Sequence, residues 1–192
     1  MKKCTIAEIG AVVIAVMLTG CSYNESDAVG VIGGADGQTA VTVGEQTSVG
    51  EDEAFFREMY FYDLNNKYNQ IITDQEAFYN ANDNANYAVS VEDLDVEAFF
   101  AAAEKCISSF EAIIAIEPPE SLASYHEQLI EGAQYEIKFL NGVIQAAKYD
   151  LGRLDMSEQE REELQAFFTE YSEAETNRFV DAYCAVMEAI AQ

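Results

Sequence analysis

The stretch of sequence that decides the fold runs from Asp95 to Pro119 and reads DVEAFFAAAEKCISSFEAIIAIEPP. Its large apolar residues recur at three- and four-residue steps, which puts them on one face of an α-helix. Asp95 is a favoured helix cap. Pro118 and Pro119 end the helix, because proline disfavours helical backbone in the residue before it. The predicted inward residues are Phe99, Phe100, Ala103, Cys106, Ile107, Phe110, Ile113 and Ile114.

Three further segments show the same periodicity. Counting the stretch above as segment two, segment one covers about residues 52–80, segment three about residues 119–149, and segment four runs from residue 157 to the C-terminus. The predicted inward residues are Phe55, Phe56, Met59, Tyr60, Leu64, Tyr68, Ile71, Ile72 and Phe78 in segment one, Leu122, Tyr125, Leu129, Ile137, Leu140, Val143, Ile144 and Ala147 in segment three, and Leu164, Phe167, Phe168, Tyr171, Ala174, Phe179, Val180, Tyr183, Met187 and Ile190 in segment four.

Local signals bound these segments. Ser157 and Glu160 form a capping box at the start of segment four, and Gly152 with Arg153 marks the end of segment three. Four amphipathic helices with short turns at two of three corners most simply pack up-down-up-down around one core. We therefore expect an all-α protein, with an antiparallel four-helix bundle over residues 51–192. The chain is 49% hydrophobic, which is too apolar for a disordered protein.

The N-terminus has the pattern of an export signal. Lys2 and Lys3 precede an apolar run over residues 9–18, and the sequence LTGC follows, ending at Cys21. The run is about ten residues long, whereas a membrane-spanning helix needs about 20. The LTGC sequence resembles the lipobox of bacterial lipoproteins.

That resemblance implies that residues 1–20 are a signal peptide, cleaved before Cys21, and that the Cys21 thiol is the lipidation site. The protein would then be anchored by acyl chains at the extracytoplasmic face of the cell membrane, with the lipid bilayer as its first partner. Two acyl chains hold a protein stably where one does not. An ordinary secretory signal followed by a chance cysteine is the alternative.

Residues 21–50 are rich in Gly, Ser and Thr and predict a flexible tether with a mean reach of about 30 Å. Within them, residues 30–39 read GVIGGADGQT, which resembles the GGADGPT signature in the membrane subunit of sodium-pumping decarboxylases. Gln38 replaces the signature's proline, and the chain lacks that family's many membrane spans. We therefore expect residues 33–37 to form a glycine-rich turn carrying Asp36, or part of a short strand pair over residues 29–43.

The strong negative charge restricts the partners. Loss of Lys2, Lys3 and Glu8 with the signal would change the formal charge from −25 to −26. Because nucleic acids are bound through clustered basic residues, nucleic acid and anionic lipid surfaces are poor partners. Cations, basic peptides or positively charged wall components are better ones, and a solvated acidic surface with no partner is the alternative.

The domain offers few residues for metal or catalytic chemistry. His126 is the single histidine of the chain, so the paired Glu-x-x-His ligands of a di-metal bundle cannot form, and no Cys-x-x-Cys spacing occurs. We therefore expect no metal, no cofactor and no enzymatic activity. His126 is predicted to be exposed or paired with a glutamate at the surface. The acids of segment four, Glu160, Glu162, Glu163, Glu170 and Glu173, are predicted to be solvated.

Cys106 and Cys184 fall on the inward stripes of segments two and four, which are diagonal in such a bundle. A diagonal usually exceeds the roughly 7 Å that a disulfide can span. We expect two buried thiols, while a disulfide, common in exported proteins, is the alternative.

Two functional hypotheses follow. The first is a non-catalytic cell-surface module that binds a peptide, a wall component or a partner protein, and residues 52–192 loosely resemble helical lipoproteins of Gram-positive bacteria. The second is a solute-binding or sensory module that holds a small cationic or aromatic ligand in the bundle, using tyrosines with acids. Five tyrosines exceed what a core needs: Tyr60, Tyr62, Tyr79, Tyr87 and Tyr135. Packing in the core and at its boundary is the alternative use of these side chains. The sequence does not indicate the oligomeric state.

Overall fold

A computed structural model describes residues 48–87 and 95–192, with side chains over residues 53–82 and 95–192. The described part is helical and contains no strand, so the expected all-α class is confirmed. No described helix is both long enough and apolar enough to span a membrane. The helices are α1 (Ser48–Tyr87), α2 (Val96–Ile114), α3 (Ala123–Asp150), α4 (Glu158–Glu173) and α5 (Arg178–Ile190), with a 3-10 turn at Glu120–Leu122 before α3.

The predicted signal peptide, the lipidation site Cys21 and the GGADG sequence lie outside the described residues. Helix α1 begins at Ser48, inside the predicted tether, and extends to Tyr87, beyond the predicted end of segment one near residue 80.

The predicted helix ends are formed by the expected side chains. The Asp95 carboxylate accepts a hydrogen bond from the backbone amide of Ala98, and Ser157 forms the predicted capping box. Gly152 adopts a φ of 68° just after α3. The amides of Gly152 and Arg153 donate to carbonyls of the last turn of α3, a hydrogen-bond pattern that favours glycine.

Segment four is not one helix, and the prediction of a continuous helix from residue 157 onward was wrong. The chain leaves helical geometry at Ala174 and re-enters it after Asn177. The Asn177 side chain accepts hydrogen bonds from the amides of Phe179 and Val180, which caps α5. Residues 174–177 contain neither glycine nor proline, so a strong signal for a helix break is absent from this stretch.

The helices share one core. Helix α2 packs against α1 and α3, while α5 packs against α3 and also contacts α1; α4 lies against α3. Stacked rings connect pairs of helices. The ring centroids of Tyr68 in α1 and Tyr183 in α5 are 3.7 Å apart, and those of Phe139 in α3 and Tyr171 in α4 are 4.0 Å apart. The fully buried large side chains include Leu64, Ile71, Phe78, Phe110, Ile113, Leu122, Leu129, Phe139 and Val186.

Several residues predicted to face inward do not. Phe55, Phe56, Met59 and Ile72 of α1 and Tyr125 of α3 are exposed. The buried line of α1 instead follows Tyr60, Leu64, Ile71 and Phe78. At about 100° per residue, Phe55 and Met59 lie well off this line. Phe56 lies near the line but is still 57% exposed.

Helices α3 and α5 approach most closely at Gly132. A Cβ atom at this position would lie 2.7 Å from the Cα atom of Phe179 and 3.1 Å from the carbonyl oxygen of Arg178. Both are backbone atoms, so only movement of a whole helix could accommodate a larger residue. The absence of a side chain at Gly132 therefore sets the spacing of the two helices.

We expect Gly132→Ala to lower the free energy of unfolding by about 1–3 kcal/mol, because it forces α3 and α5 apart. Urea unfolding of the full chain, followed by circular dichroism, measures the change. Gly142→Ala is the matched control: the atoms nearest to its Cβ belong to the Leu164 and Phe168 side chains, which can rotate away. Alanine also favours a helix over glycine by about 1 kcal/mol. Equal losses in the two variants would contradict the role given to Gly132.

Candidate functional site

Glu136 of α3 is a carboxylate inside the core, with 1% of its surface exposed. Its two oxygens accept hydrogen bonds from the Tyr171 hydroxyl at 2.7 Å and from Asn177 Nδ2 at 3.1 Å. Burial raises the pKa of Glu136 to about 7, although the two hydrogen bonds oppose the shift. Glu136 therefore exchanges a proton near neutral pH while it ties α3 to α4 and to the corner before α5.

Asp74 of α1 is equally buried but stays ionised. It accepts hydrogen bonds from Ser109 Oγ at 2.5 Å and Gln70 Nε2 at 3.0 Å, and Lys105 Nζ lies 2.8 Å away. Burial raises its pKa, but the hydrogen bonds from Lys105, Ser109 and Gln70 and the Lys105 charge together lower it below the ordinary value. Because Ser109 and Lys105 belong to α2, Asp74 joins α1 to α2.

Cys106 and Tyr79 lie close to these carboxylates. The charges of Asp74 and Glu136 act on Cys106, and that of Glu136 acts on Tyr79. Burial raises the pKa of the Cys106 thiol to about 12, and the Asp74 and Glu136 charges add to the shift. Such a thiol is a poor nucleophile. The side chains around Glu136 leave no space for a water molecule among the described residues that line this region, which are Gln75, Phe78, Tyr79, Cys106, Phe110, Glu136, Phe139 and Leu140. The centre can hold a proton, but in this conformation it does not admit a substrate.

His126 is buried, so its predicted surface location was wrong. Its ring is 2% exposed, and the Tyr60 hydroxyl lies 2.7 Å from Nδ1. Burial lowers the pKa of His126, while the nearby backbone of Ile116 opposes the shift. Nε2 has no well-aligned hydrogen bond. His126 is covered because the first turn of α3 packs against Tyr60 of α1, a contact between residues distant in sequence.

The two domain cysteines do not bond to each other. Cys106 is a free, buried thiol, as expected. Cys184 is only partly buried, so the prediction of two buried thiols was wrong for Cys184.

A groove of about 540 Å³ lies between α3 and α5, above Gly132. It holds two basic residues, Lys138 and Arg178, and two acidic ones, Glu131 and Asp181. Both cations are already engaged: Lys138 Nζ lies 4.1 Å from the Phe167 ring centre, and the Arg178 guanidinium 4.1 Å from that of Tyr135. The groove is therefore open but nearly neutral.

The N-terminal turns of α1 carry a cluster of exposed apolar side chains. We call Phe55, Phe56, Met59 and Tyr62 the aromatic face; their exposed fractions are 58%, 57%, 54% and 55%. The Phe55 and Phe56 ring centres are 6.1 Å apart. Large apolar side chains clustered at a surface commonly mark a site of interaction.

The remaining predicted residues have mixed positions. Tyr60 is buried, Tyr62 is exposed, and Tyr79 and Tyr135 are partly buried at the core boundary. Tyr87 lies where side chains are not described. The α4 acids Glu160, Glu162, Glu163, Glu170 and Glu173 are exposed, as expected. Within the described ranges, no three His, Cys, Asp or Glu side chains are grouped as metal ligands.

Comparisons of the chain with models of known families, with curated proteins and with solved structures found no match.

Sequence reasoning missed the two buried carboxylates, although a weak signal was present. Asp74 lies three residues after Ile71 and four before Phe78, on the buried line of α1. Glu136 has the same spacing to Ala133 and Leu140 in α3. A polar residue in the register of a buried stripe is the pattern that would have identified both.

We expect Glu136→Gln to remove one component of the pH dependence of stability. The pKa of Glu136 is about 7 in the folded protein and has an ordinary value of 4.5. Between these two pH values the folded state holds a proton that the unfolded state has released. The free energy of unfolding of the wild type therefore falls as pH rises from 4.5 to 7. The free energy of unfolding of Glu136→Gln should therefore increase relative to that of the wild type by up to about 3 kcal/mol between pH 4.5 and pH 8. Urea unfolding across this range measures the difference. The exposed control Glu162→Gln should follow the wild type, and parallel curves for Glu136→Gln and the wild type would refute the assignment.

Proposed function

We propose that this protein is a lipid-anchored, extracytoplasmic surface module that binds a peptide, a wall component or a partner protein without catalysing a reaction. The observation that carries this proposal is the contrast between a closed core and the exposed aromatic face of α1. The packed region around Glu136 has no space for a water molecule, whereas apolar side chains exposed together favour binding of another molecule.

The anchor rests on the LTGC sequence ending at Cys21, and on the basic and apolar residues before it. Under this proposal residues 1–20 are the signal peptide, and Cys21 receives the acyl chains and attaches the domain to the cell membrane. Residues 22–47 then act as the tether that precedes α1.

We also propose that the helices form an antiparallel up-down-up-down bundle in which α4 and α5 together make the fourth arm. The packing of α2 against α1 and α3 supports this order, as does the position of α4 and α5 on α3. In such a bundle the tether would enter at the end of the domain that carries the aromatic face.

A second candidate function has one observation in its favour. Asp74 and Glu136 are buried in the core and Tyr79 lies at its boundary, and acids with an aromatic ring could hold a small cationic or aromatic ligand if the bundle opened. That module would be a solute-binding or sensory one. The closed packing around Glu136 argues for the surface-binding function instead.

Replacement of the predicted acylation site tests the anchor. In a bacterial host given radiolabelled palmitate, the wild type should take up label and sediment with membranes, whereas Cys21→Ser should do neither, because serine lacks the thiol that receives the diacylglyceryl group. The matched control is Cys4→Ser, which removes a cysteine from the same N-terminal region and should label like the wild type. Label retained by Cys21→Ser would refute the anchor.

Ligand screening separates the two candidate functions. A thermal-shift screen of the full chain against amino acids, polyamines, sugars, divalent metals and peptidoglycan fragments should show no shift with small solutes if binding occurs only at the surface and requires a macromolecule. A ligand at 100 times its dissociation constant adds about 2.7 kcal/mol, so core binding would raise the melting temperature by several degrees. A polyamine or aromatic amine that does so in the wild type but not in Glu136→Gln would favour the solute-binding module.

A further inference from the structure

We propose that the aromatic face of α1 is the docking site for a basic amphipathic helix of a partner protein. The inference rests on the proposed function and deepens it, because it identifies the surface that binds and the chemistry of the partner.

The apolar residues of the aromatic face are concentrated in two turns. At about 100° per residue they cover an arc of about 120° on one side of α1. Past Tyr62 the same side becomes polar and exposed, with Asn66, Asn69, Gln70 and Thr73. The aromatic face is thus a local patch at the start of the helix, and the part of α1 buried in the core lies on another side.

The spacing of the patch fits a partner helix. Phe55, Met59 and Tyr62 are separated by four and then three residues, which is the alternation of the apolar seam between two helices of a coiled coil. In that register Glu58 and Asp63 occupy the two positions that flank the seam, where charges pair with those of the facing helix. Both are exposed acids, so the facing helix should carry lysine or arginine at the flanking positions.

The basic residues nearby only partly offset these acids. Lys67 Nζ lies 3.4 Å from the Asp63 carboxylate, but an exposed pair of this kind contributes little. The Arg57 guanidinium donates hydrogen bonds to two carbonyl oxygens at the end of α5, those of Ala189 at 2.5 Å and Ile190 at 3.2 Å. Glu53 adds a further carboxylate one turn earlier, where it accepts a hydrogen bond from Ser121. Around the aromatic face the three carboxylates of Glu53, Glu58 and Asp63 outnumber the two cations, Arg57 and Lys67. A net negative charge remains, and charge complementarity favours a basic partner.

Two other occupants fit less well. The four side chains are each a little more than half exposed, so together they present roughly 450 Å² of accessible surface. Each subunit of a stable dimer buries about 800 Å². A second copy would also bring its own acids against Glu58 and Asp63. A bilayer with anionic lipids would be repelled by the same carboxylates.

The test measures binding of a synthetic probe to the full chain in phosphatidylcholine nanodiscs. The probe is a fluorescent three-heptad peptide with leucine on the seam and lysine at the flanking positions, and empty nanodiscs supply the background. We expect saturable binding to the wild type, at least tenfold weaker binding to Phe55→Gln/Met59→Gln, and no change for the matched control Ile72→Gln. Ile72 is another exposed apolar residue of α1, outside the patch.

Charge is tested separately. Glu58→Gln/Asp63→Asn should weaken binding of the lysine probe about threefold to tenfold at low salt and reduce the salt dependence of that binding. The control pair Glu162→Gln/Glu163→Gln, exposed acids of α4, should leave both unchanged. A probe with glutamate in place of lysine should not bind. Circular dichroism confirms that each variant is folded.

The proposal fails if the wild type does not bind the lysine probe at about 100 µM, if Phe55→Gln/Met59→Gln binds as well as the wild type, or if both probes bind equally. A dimer in analytical ultracentrifugation that Phe55→Gln abolishes would make a second copy the occupant and would also overturn it. Failure of the anchor is seen separately, in the palmitate label on Cys21, which does not depend on probe binding.

Discussion

Burial of the Glu136 carboxylate constrains the whole C-terminal third of the protein. A buried carboxylate is tolerated only where hydrogen-bond donors replace water, and Tyr171 and Asn177 provide them. Tyr171 belongs to α4, and Asn177 also caps α5. The Glu136 carboxylate therefore holds both helices in place. Its hydrogen bond from Asn177 requires the chain to leave helical geometry between α4 and α5.

Asp74 has a comparable role between α1 and α2, with opposite electrostatics. Lys105 keeps Asp74 charged, whereas Glu136 has no basic partner among its described contacts and takes up a proton near neutral pH. Both carboxylates hold helices together, and the side chains around them are closely packed. The buried polar groups of the interior thus serve to hold the helices together.

At the surface, acidic charge and apolar side chains act together. The net charge of −25 makes copies of the protein repel one another, so a few large apolar side chains can be exposed with less risk of self-association. Under the proposed function, the same acids also disfavour contact with anionic membranes and attract basic partners. The aromatic face of α1 combines these properties within two helical turns.

The sequence by itself determined the helical class, the ends of α2 and α3, the start of α4 and most of the buried stripes. These features depend on interactions between residues a few positions apart, such as the Asp95 and Ser157 caps. Only the tertiary structure decided that His126 is buried, that Phe55 and Met59 are exposed, and that the chain turns before Asn177. Helical periodicity shows which residues share a face, but whether another helix covers that face depends on contacts between residues distant in sequence.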